Sequence, residues 1–361
     1  MAGQVFSNRV TDITNQAFIP SIIDSVNNSN VVTARFLSKP KTWNGQVLKQ
    51  PIQYANFTNG GSFNGFDTFD TSAQNVTDVL SWYPTAYYNS IVLSGLELGV
   101  NQTDAQVVGL MKSAMEQAKN AMANGIGTIL YGTGAGKDFD GLGLIVDDGT
   151  STSSYGGLTR SSRPQINAGY NTAASGGNLT LDGLASLIDG SSAASSVQES
   201  PTLLLTTKSV FSLYESLNTP TIQNAYAQTD MMVTADTAVG VAVPSNSISA
   251  NKAKNGFRAL VWRGIPMVAD DKCTSGVIFA LNENYFDFYS LSVPGLTPIT
   301  LSADVTEGVY GEVNKIKTSF QYKELMQPTN QLAEVGQVIA AGNLICRQPR
   351  RNGKLTGVTG V

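Results

Sequence analysis

Gly132-Thr-Gly134-Ala-Gly136-Lys137-Asp138 is the stretch of this chain that comes nearest to a phosphate-binding loop. A P-loop follows a strand, places four residues between its first glycine and the Gly-Lys pair, and ends in a hydroxyl that holds magnesium. Here three residues intervene, Asp138 stands where the hydroxyl belongs, and the preceding segment reads as helix. The glycines are therefore read as helix-terminating residues. Asp138, Asp140, Asp147 and Asp148 could bind calcium or share a proton. Their spacing fails the EF-hand pattern, so turn formation and helix-end charge are the simpler reading. Asp70-Thr71-Ser72-Ala73 echoes the aspartic-protease triplet, whose chemistry needs two such carboxylates side by side. There is no second triplet of that kind. Cys273 and Cys346 stand alone without a CxxC partner, and read as core thiols.

Composition points the same way. The 361 residues include no histidine, which removes Ser-His-Asp and Cys-His nucleophiles, HExxH zinc sites and most mixed-ligand metal centres. No catalytic, cofactor-binding or metal-ligating residue is assigned, and the chain is read as a non-enzyme. Only 14% of residues are charged, against about 25% in a typical soluble domain. Interface cores are depleted in charge, so a charge-poor chain of this size fits a protomer covered by neighbours. A Ser/Thr/Asn/Gly surface that is polar without being ionic fits as well.

The net charge of −4 is unevenly placed. Residues 1–60 carry five Lys/Arg and two Asp/Glu, residues 61–150 three and ten, and residues 345–361 four and none. Basic ends thus flank an acidic body. The terminal cluster Arg347, Arg350, Arg351 and Lys354 is a candidate interior basic tail facing a polyanion or an acidic neighbour, and equally a solvated terminus. No secretory or membrane signal is read, so the five N-x-[ST] sequons follow from composition, and a cytoplasm-like compartment or release by lysis is expected.

Chain organisation suggests an incomplete protomer. Residues 1–45 read as an arm, with one helical turn-pair after Pro20 and otherwise extended chain without a core of its own. Residues 46–95 read as a long hairpin, with strands Val47–Thr58 and Val79–Leu93 around a turn-rich Asn59–Gly65. Pro51 and Pro84 mark exposed edges. Such a ribbon would reach about 40 Å and needs a partner surface. Thr103 opens the best helix, with a capping box to Gln106 and a Val108, Met111, Met115, Ala118, Met122 stripe. Reading on to Tyr131 makes it about 43 Å long, unless Asn124-Gly125 or Gly127 stop it early. Further signals are a helix at Leu181–Ile188, a strand at Thr202–Thr206, a Thr207-capped helix, and strands at 257–262, 277–281, 285–291, 313–326 and 335–345. The class is α+β, mostly antiparallel, with one long helix.

Against that background a family comes into view. Phe139-Asp140-Gly141-Leu142-Gly143, then Tyr155-Gly156-Gly157-Leu158-Thr159-Arg160, resembles the "GL … YGG-x-x-R" stretch of tailed-phage major capsid proteins. Gly264-Ile265-Pro266-Met267-Val268-x-Asp270, running into Ile278-Phe279-Ala280-Leu281-Asn282, resembles their "G-x-P-V-x-x-D … I-x-x-L-N" hairpin. Gly342 to Gly357 resembles their closing strand and tail. The ordered set covers nearly the whole chain and implies the Hong Kong 97-like fold.

The resemblance implies a layout and a role. Residues 1–45 would be the N-arm, 46–95 the extended loop, 96–194 with 311–361 the peripheral domain with a spine helix over 103–131, and 195–310 an inserted axial domain. Tyr155, Gly156, Gly157, Arg160, Gly264 and Pro266 would be assembly motifs. The chain would self-assemble into hexamers and pentamers of an icosahedral shell around double-stranded DNA, held by non-specific contact. Portal and scaffolding or decoration proteins would be its other partners, with no membrane. The chain opens directly on its arm, implying a separate scaffold or a mature form. It would sit in the virion capsid after assembly in the bacterial host cytoplasm. An encapsulin-type nanocompartment shell is the alternative on the same fold, and a carboxylate-based hydrolase the alternative of another class.

Overall fold

The computed structural model describes residues 31–37, 40–95, 110–192, 199–217, 259–301, 316–327 and 332–361. Its elements begin with α1 (Val31–Phe36), β1 (Lys41–Thr42), β2 (Leu48–Gln53), β3 (Thr77–Trp82), β4 (Thr85–Ser94) and the long helix α2 (Leu110–Ile129). There follow α3 (Leu142–Ile145), β5 (Ser154–Tyr155), β6 (Leu158–Thr159), β7 (Tyr170–Ala173), α4 (Leu181–Ser191), β8 (Leu203–Thr206) and α5 (Lys208–Leu217). The remainder is strands: β9 (Ala259–Trp262), β10 (Ile265–Ala269), β11 (Ile278–Leu281), β12 (Phe286–Ser290), β13 (Thr297–Leu301), β14 (Ile316–Met326), β15 (Ala333–Cys346) and β16 (Gly353–Thr356).

Two six-stranded sheets organise these elements. One runs β1-β12-β15-β14-β13, with β4 also on β15, and the other runs β7-β16-β11-β8-β10-β9. The 14-residue β15 is the axis of the first sheet. It pairs with β4 from Ala333 to Gly342 and with β12 from Gly342 to Cys346. In the second sheet, β8 is buried at every position, as expected of a strand covered on both faces. Leu203 and Leu205 enter one hydrophobic core and Leu204 the other. Val268, Phe279 and Leu281 likewise face the first core, and Met267, Ile278 and Ala280 the second. The second sheet is thus shared between the cores. Strand pairing also crosses the 195–310 boundary, because β12 and β13 join the first sheet and β16 the second.

The long helix packs its Ala118, Met122 and Ile126 face into the first core, over β4 and β15. Asn124-Gly125 and Gly127 do not stop it. At Gly125 a Cβ would lie 2.3 Å from the Tyr87 hydroxyl, so the small residue admits the ring from β4. Helix ends at Ile129, two residues before the expected Tyr131; its expected start and the Thr103 capping box fall outside the described residues, as does the turn-pair after Pro20.

Two expectations are corrected. The strand expected over Val79–Leu93 is two strands, broken at Tyr83-Pro84: β3 pairs with β2, whereas β4 leaves the hairpin for β15. Proline has no N–H to carry a ladder across that point. The arm expected to be extended after residue 26 contains α1, whose Val31, Val32 and Phe36 are buried in the first core. Its first amides, Val31 N and Val32 N, donate to Asp270 Oδ2 at 2.8 and 3.2 Å. The cap therefore comes from 239 residues away, where a local capping signal cannot reveal it. Arg35 adds a two-pronged ion pair to Glu283. Among the described residues, no helix is long and apolar enough to cross a membrane.

Candidate functional site

The pair β2–β3 forms a two-stranded ribbon separate from both sheets, in register from Leu48 opposite Trp82 to Gln53 opposite Thr77. Beyond it, residues 54–76 continue as a long loop whose legs are tied by polar contacts. Tyr54 N donates to Val76 O, and the Thr58 amide and hydroxyl exchange hydrogen bonds with the Gln74 side chain. Phe57, Phe63, Phe66 and Phe69 stand 63%, 66%, 105% and 66% exposed. The Phe63 and Phe69 rings touch edge-on, with centroids 5.0 Å apart. Between Tyr54 and Val76 the only charges are Asp67 and Asp70, with no lysine or arginine. Phe63, Phe66 and Phe69 lie beyond the Asn59–Ser72 tie at the end of the projection and Phe57 stands on its leg, an exposed aromatic set that is the pattern of an interaction surface.

The base of this projection is held firmly. Leu80 and Trp82 are buried in the first core, and Ser81 N donates to Gly156 O at 2.8 Å. Strands β5 and β6 meet through Gly156-Gly157, both at positive φ, as a two-residue hairpin turn requires. A Cβ on Gly156 would lie 2.7 Å from Leu80 Cδ2, so the glycine also lets the ribbon pack flush against the turn. The Tyr155 hydroxyl donates to Cys346 O and accepts from Cys346 N, both at 2.9 Å, which pins β5 to the end of β15. Arg163 completes the bracket, with Nε 2.9 Å from Asp78 Oδ2 and its guanidinium 4.0 Å from the centre of the Tyr54 ring.

Arg160, the last residue of the first motif, is 1% exposed. Nη1 donates to the carbonyls of Asp147 and Ile166 at 2.7 Å each, and Nη2 to Leu144 O at 2.5 Å. It ties the turn after α3 to the segment at residue 166. Gly264 and Pro266 lie elsewhere, at the turn and first positions of the β9–β10 hairpin, where Arg263 and Gly264 take positive φ. The candidate motif residues therefore form two groups. Tyr155, Gly156, Gly157 and Arg160 support the projection's base, and Gly264 and Pro266 do not touch it.

The carboxylates separate as well. Asp147 is fully buried; Oδ2 accepts from the Gly149, Ser151 and Thr152 amides and the Thr152 hydroxyl, and Oδ1 from Lys354 Nζ at 2.9 Å and Asn171. Burial opposes its ionisation, but the Lys354 hydrogen bond and charge with the loop amides outweigh it and hold Asp147 at about 2. Asp148 bonds Thr150 N and Asn171 instead. Asp140 bonds the Asn343 amide, which also reaches Tyr83 O at the foot of the projection. Burial pushes Asp140 up to about 6 against that hydrogen bond. Among the described residues, no three His, Cys, Asp or Glu groups are placed to hold a metal ion.

The raised Asp140 sets a direction for stability. Its folded form prefers the proton, so above pH 6 the ionised carboxylate costs the fold about 2–3 kcal/mol at most, and the cost fades as pH falls toward 4. Asp140→Asn, which mimics the neutral carboxyl, is expected to raise the denaturation midpoint at pH 7.5 and to flatten its change between pH 4 and 6. An unchanged pH profile in that variant would refute the assignment.

The four terminal cations do not form one basic patch. Lys354 is buried on Asp147, Arg347 pairs with Asp287 at 3.1 Å, and Arg351 with Glu199 at 2.6 Å. Arg350 alone is exposed, on a cleft between the ribbon's base and residues 347–351. The 353–356 segment is a strand of the second sheet rather than a loose tail. Spacing could not reveal this, because the ion-pair partners of Arg347, Arg351 and Lys354 lie 60 to 207 residues away in the chain.

No family model and no curated protein sequence matches this chain. Solved structures do. The capsid asymmetric unit of cyanophage A-1(L) superposes with a TM-score of 0.69 at 14% identity, covering 98% of this chain and 100% of that one. The capsid of Myoviridae phage XM1 gives a TM-score of 0.53 at 12% identity, with full coverage of both chains. The holo-SrpI encapsulin complex from Synechococcus elongatus PCC 7942 gives 0.53 at 11%, covering 98% and 96%. The α+β fold of this chain is the fold of tailed-phage capsids, and it is shared with an encapsulin shell.

Proposed function

We propose that this chain is a structural shell protein, the major capsid protein of a tailed phage, which assembles into hexamers and pentamers of an icosahedral capsid around double-stranded DNA. The observation that carries the reading is the aromatic tip. Four phenylalanines stand in solvent at the end of a ribbon whose base is locked to the core. Burying each on a neighbouring copy would contribute roughly 1.5–3 kcal/mol. Identical contacts that close into rings then build the shell. In this layout the arm is residues 1–45, the extended loop 46–95, the peripheral domain 96–194 with 311–361, and the axial domain 195–310 at ring centres. Asp140 and Asp147 are engaged in internal hydrogen bonds, which speaks for a structural rather than a hydrolytic role. DNA would be held by shell geometry and non-specific contact. Portal and scaffolding or decoration proteins would join the chain in the virion, assembled in the bacterial cytoplasm.

Electron microscopy of the purified protein is expected to reveal closed icosahedral shells. Replacing Phe57, Phe63, Phe66 and Phe69 together by serine should leave a folded protomer, since none lies in either core, and abolish the shells. Shells that form undiminished from this variant would overturn the tip's role; a monomer at all salt and protein concentrations in the unaltered chain would overturn the function itself. The second reading, a nanocompartment shell, is favoured by the encapsulin likeness. Particle contents separate the two: packaged DNA supports a capsid, and an enclosed protein cargo a compartment.

A further inference from the structure

We infer that Asn64 is a site of spontaneous deamidation, a chemical clock built into the aromatic tip. Described Asn-Gly pairs occur at 44–45, 59–60, 64–65, 124–125 and 352–353, and their surroundings differ sharply. Asn64 is exposed, and Gly65 N lies 2.9 Å from its own Asn64 Oδ1, so the attacking amide nitrogen already faces the side-chain carbonyl. The turn is held by Asn64 N donating to Asp67 Oδ2 and Asp67 N to Asn64 O. Apart from its chain neighbours, no residue comes within 4 Å of where a Cβ of Gly65 would be, so the surroundings do not crowd ring closure.

The other pairs lack this arrangement. Asn59 is half-buried and its amide is tied across the loop to Ser72 O. Beside Asn44, the Gly45 carbonyl is held by the Trp43 indole. Asn124-Gly125 is locked inside α2, where Gly125 packs on Tyr87. Asn352 is fully buried, its amide bonded to Gln348 O and Pro349 O, and Gly353 is packed against Ser191 and Leu187.

The reaction needs only water. Base removes the Gly65 N–H proton, the nitrogen bonds to Asn64 Cγ, and the Cγ–Nδ2 bond breaks with release of ammonia, which takes up a proton from water. Hydrolysis of the resulting cyclic imide breaks either C–N bond and yields aspartate or isoaspartate. Each event places a new carboxylate between Phe63 and Phe66, beside Asp67 and Asp70, where no lysine or arginine offsets it. If the tip is buried on a neighbouring copy, as proposed above, that charge disfavours docking and assembly in turn shields Asn64 from reaction.

The test is peptide mass spectrometry of the full chain, as unassembled protomer and as particles, incubated in mildly alkaline buffer. In the protomer, Asn64 is expected to gain the mass difference between NH2 and OH severalfold faster than Asn59 or Asn44, with Asn124 and Asn352 unchanged. Gly65→Ala should slow the conversion severalfold without disturbing the fold, because its site is open and its φ is not positive. Asn64 reacting no faster than Asn352 overturns the inference and leaves docking untouched. Conversion in the protomer that continues at the same rate in particles leaves the chemistry standing and overturns burial of this tip.

Discussion

Replacing Arg160 by methionine is expected to destabilise the protomer by about 3–5 kcal/mol, among the largest effects of any single substitution in this chain. Methionine fills much of the same volume, so the loss isolates the guanidinium. That group donates to the carbonyls of Asp147, Ile166 and Leu144, and removing it takes a charge-assisted hydrogen bond from each, although Asp147 O keeps the Ala168 amide as a donor. The side chain makes no hydrogen bond to a carboxylate; its anchors are backbone, and so its loss weakens the tie between the turn after α3 and the segment at residue 166, leaving the Ala168 N to Asp147 O hydrogen bond in place. Arg160→Lys keeps the charge without the planar fork, and should recover only part of the loss. The measurement is a urea unfolding curve on the protomer, in the four-phenylalanine variant where assembly does not interfere. A shift below about 1 kcal/mol for Arg160→Met would refute the clamp.

How much of this was legible in the sequence depends on how local each cause is. Strand β8 was readable from an unbroken apolar run, and α4 from the helical patch Leu181–Ile188, because the burial pattern of each lies within a few residues. The ribbon's existence was readable from Val, Ile and Trp around a turn-rich middle. Its end was not, because Val79 to Leu93 are equally strand-like on both sides of Pro84, and only pairing with β15 decides where β4 goes. The α1 helix escaped for the opposite reason: six residues have weak propensity of their own, and its cap, Asp270, sits just after β10 of the second sheet. Motif resemblance found Arg160 and the Tyr155-Gly156-Gly157 turn without disclosing what they hold. Their partners at residues 80, 144–147, 166 and 346 are set by tertiary packing alone. The aromatic tip was written plainly in the sequence as four phenylalanines between residues 57 and 69, yet only their exposure marks them as a surface rather than a core.

Lys354 is the sharpest case of a residue whose role reversed between sequence and fold, and it yields a second large effect. Asp147→Ala should cost about 3–5 kcal/mol, since it leaves a buried ammonium unpaired and strips the 149–152 loop of the acceptor for three amides and a hydroxyl. Lys354→Met should cost much less, about 1–2 kcal/mol, because Asp147 keeps those donors when the lysine is gone. The asymmetry distinguishes a carboxylate-centred loop anchor from a simple ion pair, in which both deletions would cost alike. The pH profile supplies an independent check. Asp147 is depressed from 3.8 to about 2, so its contribution is fully present above pH 4 and disappears as pH falls toward 2, about 2.5 kcal/mol in all. In Lys354→Met the folded value should rise, moving this acid limb to higher pH, whereas Asp147→Ala should erase it. Equal losses from the two single substitutions, or an acid limb that survives without Asp147, would show that the loop is held by something other than this carboxylate.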